Sequence, residues 1–166
     1  MFELKALSHE SVLAALAKAE HYRLLGEPAE AESICRDVLA IEPENQYALV
    51  CFVLAQSDRI GVDSRAFQGA ATAASKLQSE YQRAYYSGIV WERRAKAMHE
   101  DRGMGTNHTV YECVVKALQF FEEAEQLRAP GNDDAVLRWN TCVRFLQSHP
   151  SLTPRGEETP EPIVSE

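Results

Sequence analysis

Several features that would announce a function are missing from this sequence. Nowhere do about 18 apolar residues run together, the minimum for a helix that crosses a bilayer, so membrane insertion is not expected. The opening MFELKALSHE carries charge at Glu3 and Lys5 and no apolar stretch of leader type, which predicts a cytoplasmic chain. Positive charge is scarce: 17 Lys and Arg stand against 25 Asp and Glu, for a formal net charge of −8. A surface of that sign repels the phosphate backbone, so nucleic acid is not an expected partner. Cysteines number four, Cys35, Cys51, Cys113 and Cys142, and no two form a C-x-x-C pair. Each lies in an apolar helical pattern and reads as a small buried hydrophobe rather than a disulfide or zinc ligand.

Catalytic signatures are equally sparse. The histidines His9, His21, His99, His108 and His149 include no pair at helical ligand spacing, and there is no H-E-x-x-H. The stretch from His99 to His108 puts Glu100, Asp101 and Arg102 beside Gly103-x-Gly105, but that turn lacks the phosphate-binding glycine pattern and no strand precedes it. It reads as a helical hairpin loop. No Ser, Cys or Lys sits in a nucleophile motif. The sequence therefore predicts no catalytic residue, no metal and no cofactor.

What is present is helix. In AEAESICRDVLAIEP, Ala31, Cys35 and Val38 are spaced four and three apart, a narrow stripe along one helix face. Apolar periodicity predicts seven helices, at about 8–25, 28–41, 45–59, 64–79, 81–101, 108–128 and 133–148, with no alternating strand. Ser8 and Asp133 are candidate caps. Gly26 with Pro28, Pro43, Gly61 with Asp63, the run 103–107 and the run 129–133 supply the breaks. Breaks this short make sequential helices antiparallel neighbours. A domain is expected over 1–150. Residues 151–166, with three prolines and four glutamates, read as an acidic disordered tail, either plainly solvated or a recognition peptide.

The segment 12–45 spans 34 residues, and it resembles a tetratricopeptide repeat, whose period is about 34. Ala19 and Tyr22 fall on its first helix, Gly26 at the turn, Ala31, Cys35 and Val38 on its second helix, and Pro43 at its end. A second unit offers Leu49, Phe52 and Val53, then Ala70, Ala74 and Leu77, with extra residues between the halves. A third offers Ala84, Gly88 and Trp91, then Ala117, Phe121 and Ala124 before Pro130, and both of its helices are expected to be long. The resemblance implies an all-α, right-handed stack of three antiparallel helical hairpins, a solenoid of about seven helices in which 133–148 is the terminal capping helix. Ala19, Ala31, Gly88 and Ala117 are expected where helices approach closely. The alternative is an unrelated helical bundle sharing only amphipathic spacing.

The resemblance also implies a function class: a non-enzymatic scaffold or adaptor that binds a peptide or helix of a partner protein. The alternative is a chaperone for a secreted or membrane-associated client. In such stacks the first helix of each pair lines the concave side. The implied peptide-binding residues are Leu13, Leu16, Glu20 and Arg23 in the first unit, Tyr47, Val50 and Leu54 in the second, and Gln82, Tyr85, Ile89 and Glu92 in the third. A homo-oligomer that buries these positions is an open alternative. The Lys/Asn-rich clamp by which some members of the family hold a carboxylate is absent, its places being taken by Leu16, Glu20 and Cys51.

Overall fold

The computed structural model describes residues 2–101 and 106–155. Among them are seven α-helices and no strand. A short 3-10 turn, His9–Ser11, leads into α1 (Val12–Leu24) and α2 (Pro28–Ile41). Then come α3 (Gln46–Ser57), α4 (Ala66–Ser75), α5 (Glu80–Glu100), α6 (Asn107–Leu127) and α7 (Asp134–Ser148). The last long hairpin has helices of 21 residues each, as the stretched third unit predicts.

Local chemistry explains the boundaries. Gly26 adopts φ +79°, and behind it the Gly26 N–H donates to Arg23 O and the Glu27 N–H to Tyr22 O, which closes the carbonyl end of α1. Pro28 then starts α2 where its missing N–H costs nothing. Asn45, Ser79 and Thr106 each accept a backbone N–H at the start of α3, α5 and α6. Asp133 departs from its expected role. Its carboxylate pairs with Arg128, and it is Asn132 Oδ1 that accepts the Asp134 N–H. The fourth helix is shorter than the predicted 64–79, because the Asp63 carboxylate folds back on the Arg65 N–H and the chain beyond Ser75 turns to bury Leu77.

Each helix packs on the next, and α1 also touches α3, α3 touches α5, and α5 touches α7. The result is an all-α stack of hairpins in which alternate helices form a continuous layer. Its first core body gathers Ala19, Ala31, Cys35, Leu49, Phe52, Val53, Ala70, Ala74 and Leu77. Ala19, Ala31, Ala70 and Ala74 are fully buried, and their small side chains let neighbouring backbones come close. The second body gathers Ile89, Met98, Val110, Val114, Ala117, Phe121 and Cys142. Leu152 is buried in this second body, so the packed chain runs past residue 150. The tail expected beyond it lies, from residue 156 on, outside the described residues, as does most of the predicted loop 103–107.

Polar ties fasten helix ends. Buried Glu32 on α2 accepts from Arg36 at 2.7 and 2.9 Å and from Arg59 beyond α3. Arg93 on α5 donates to Leu54 O at 3.0 Å and to Ser57 Oγ at 2.5 Å, and pairs with Asp58 at 2.6 Å. It thus places a cation at the carbonyl end of α3, where the helix dipole favours one.

Candidate functional site

The layer made by alternate helices carries a cleft of about 290 Å³. From α1 come Leu16, Glu20 and Arg23, spaced four and three apart. Five residues come from α3, namely Gln46, Tyr47, Val50, Cys51 and Leu54, and α5 closes the cleft with Gln82 and Tyr86. Because the side chains i, i+3, i+4 and i+7 share a helix face, one face each of three helices makes the whole wall. No other helix contributes to it.

The chemistry of the wall is apolar with balanced charge. Leu16, Val50 and Leu54 supply aliphatic surface, and Tyr47 stands 67% exposed at the edge. Arg23 is tethered by Asp58 at 3.4 Å and lies in the same lining as Glu20, so the cleft holds one cation and one anion. Gln46 is fixed by accepting the Gln78 N–H at 2.8 Å, which ties α3 to the approach of α5.

Cys51 is the unusual member. It is 8% exposed in the wall, and its thiol neighbours that of Cys35 on α2 within one core body. The neighbouring Cys51 thiol and full burial push the Cys35 thiol above its ordinary pKa.

Seven of the eleven sequence-predicted positions meet in this cleft: Leu16, Glu20, Arg23, Tyr47, Val50, Leu54 and Gln82. Four do not. Leu13 is 82% exposed and lies outside the lining. Tyr85 stacks on Tyr81 and tilts against Phe121, with centroids 5.7 and 6.1 Å apart. Ile89 is buried in the α5–α7 core. Glu92 is 2% exposed, held by Lys96 Nζ at 2.5 Å and Arg138 Nη1 at 3.4 Å. The residue of α5 that does line the cleft beside Gln82 is Tyr86, one helical turn on, and sequence reasoning passed over it for its neighbour. Gln46 was also missed, and Cys51, though placed where the family's carboxylate clamp would stand, was not among the predicted contacts. Cys51 follows Tyr47 by four residues, a spacing that carries the signal, but a cysteine in an apolar run reads first as core.

Elsewhere, His99 and His149 come together from distant parts of the chain, edge to face with centroids 4.4 Å apart, and both rings contact Phe145. Among the described residues no three His, Cys, Asp or Glu side chains converge as a metal site, and no helix is long and apolar enough to cross a membrane. Comparison with family models, with curated proteins and with solved structures yields no match.

Proposed function

We propose that this chain is a non-enzymatic interaction scaffold of tetratricopeptide-repeat type, working in the cytoplasm, which holds an extended or helical segment of a partner protein in the α1–α3–α5 cleft. The observation that carries the reading is the composition of that wall: alternate helices of the stack present aliphatic Leu16, Val50 and Leu54 beside a protruding Tyr47. Apolar anchors enclosed by a few polar groups are how a groove recognises a helix or strand segment, and tyrosine offers flat contact area at low entropic cost. The balanced pair Glu20 and Arg23 favours a ligand anchored by apolar side chains over one recognised by charge alone.

The test is site-specific photocrosslinking in the native host. A photoreactive side chain at position 47 is expected to capture one partner, and the same group at position 13, exposed but outside the cleft, is expected not to. Val50→Asp, which puts a charge on the cleft wall, should abolish the capture at 47 while the helical circular dichroism signal is retained. Equal capture at 47 and 13, or capture at 47 that survives Val50→Asp, would count against the cleft as the binding face.

A further inference from the structure

We propose that the groove between α2 and α4 holds residues 156–166 of the same chain, an acidic segment with one aliphatic pair. The groove has a volume of about 710 Å³ and shares no residue with the α1–α3–α5 cleft. Its floor is apolar: Leu39 comes from α2, and Leu49 and Phe52 come from the face of α3 opposite the one that lines the cleft. Its rim is cationic, with Arg36 on α2, Arg65 at the start of α4 and Lys76 at its end. Among the described residues no Asp or Glu lines it.

A positive rim is unexpected in a chain of net charge −8. The Arg65 side chain is 93% exposed and meets Asp63 only at 3.8 Å, and Lys76 forms no ion pair among the described residues. Arg36 lies 5.1 Å over the Phe52 ring, so one cation is held against the apolar floor. Two carboxylates stand nearby, Glu32 shared by Arg36 and Arg59, and Asp63 shared by Arg59 and Arg65. With Lys76 the four cations outnumber them, and the excess attracts an anionic segment.

Residues 156–166, GEETPEPIVSE, complement that surface in charge and in apolar content. Glu157, Glu158, Glu161 and Glu166 are the only charged side chains in the segment, and Ile163 with Val164 supplies an aliphatic anchor for the floor. Pro160 and Pro162 favour extended backbone, which lowers the entropy lost when such a segment is held. The groove is also within reach. Pro154 and Arg155 lie against α6, α6 packs on α5, and α5 packs on α4. Those two helix packings measure about 8–10 Å each, and the eleven residues 156–166, fully extended, span about 36 Å. Held there, the segment covers Leu49 and Phe52 and bars other acidic segments from the groove. The proposal does not depend on the function proposed above, because the cleft is a separate surface.

The test uses the full chain alone, with a diazirine-bearing aliphatic residue in place of Ile163, photolysed and mapped by peptide mass spectrometry. Crosslinks are expected within one molecule, on groove residues of α2 and α4 such as Leu39 and Ala73. Raising NaCl from about 50 mM to about 500 mM should reduce their yield, because salt screens exposed charge pairs. Arg65→Glu combined with Lys76→Glu should lower the yield about fivefold, the size of effect that a few exposed pairs give together, with the helical circular dichroism signal retained. Adding Glu158→Lys and Glu161→Lys to that double variant should restore part of the yield, which damage to the groove would not allow. Crosslinks spread evenly over the surface, crosslinks on the α1–α3–α5 cleft, or a groove yield unchanged in the double variant would overturn the proposal. So would a charge exchange that restores nothing, or products of dimer mass, which would assign the segment to the groove of a second copy.

Discussion

At the scale of single residues, the contact between α5 and α6 turns on the hydrogen that Gly88 carries in place of a side chain. A Cβ there would lie 2.5 Å from Phe121 Cε1 and 2.7 Å from Cδ1, and the Phe121 ring is fully buried, with little room to move aside. Gly88→Ala is therefore expected to destabilise despite its better helix propensity, by about 1–3 kcal/mol for overpacking of this kind. The melting temperature should fall; a rise would mean that the ring yields freely. Cys142 supports a second prediction. Burial holds its thiol neutral, with the pKa pushed from 9.0 to about 12. Below pH 9 the folded and unfolded chains both carry this proton, and the stability it contributes is complete. Between about pH 9 and about pH 12 the unfolded chain loses the proton and the folded chain does not, so stability falls as pH rises. Melting measured across that window should decline less steeply in Cys142→Ala than in the parent. Equal slopes would show that the thiol titrates alike in both states. The sequence marks Gly88 and Cys142 as small buried residues. It does not show that Phe121 faces the one or that apolar packing closes over the other, because those neighbours lie on other helices.

For the helices as elements, the informative case is α5, which packs on α3, α4, α6 and α7. Its apolar residues therefore run around much of its circumference, and periodicity alone cannot tell which of several plausible stripes meets which neighbour. Gln82, Tyr85, Ile89 and Glu92 form one stripe in the sequence. In the fold the close approach at Gly88 turns Tyr85 and Ile89 toward α6, and Gln82 and Tyr86 are left on the cleft. Glu92, by its charge a surface residue, is buried because Lys96 on its own helix and Arg138 on α7 both reach it. Arg138→Met retains the aliphatic stem but removes one cation from that carboxylate. A hydrogen bond to a charged group contributes about 1.5–3 kcal/mol, so a loss of that order is expected. It should appear first as faster amide hydrogen exchange within α7, the terminal helix. Protection that stays uniform in the variant would indicate that α7 is held by Ala135, Cys142 and its other apolar contacts alone.

At the scale of the whole molecule, three helix faces that are far apart in the chain make one cleft wall. If the wall grips a partner as proposed, Tyr47→Ala combined with Val50→Ala should weaken binding by about 2 kcal/mol or more, the size of a central hot spot. The partner captured at position 47 supplies the ligand, and calorimetric titration measures the change. An unchanged affinity would move attention to another face of the stack. Raising the salt concentration should alter the affinity only slightly, since Arg23 is tethered to Asp58 and balanced by Glu20, and screening acts on net charge pairs across an interface. A steep loss with salt would instead point to a strongly charged ligand.

What the sequence determined by itself was the local layer of this protein: the number of helices, most of their ends, the small-residue seam at Ala19 and Ala31, and the length of the last hairpin. These follow from interactions within a few residues of chain, such as the positive φ at Gly26, the caps at Asn45 and Ser79 and the 3.6-residue period. The tertiary structure alone decided the rotation of α5, the burial of Glu92, the meeting of Cys35 with Cys51 and the capture of Leu152 by the core. Each of those depends on which faces of distant helices come together, and a periodic stripe records that a face is apolar without recording what covers it.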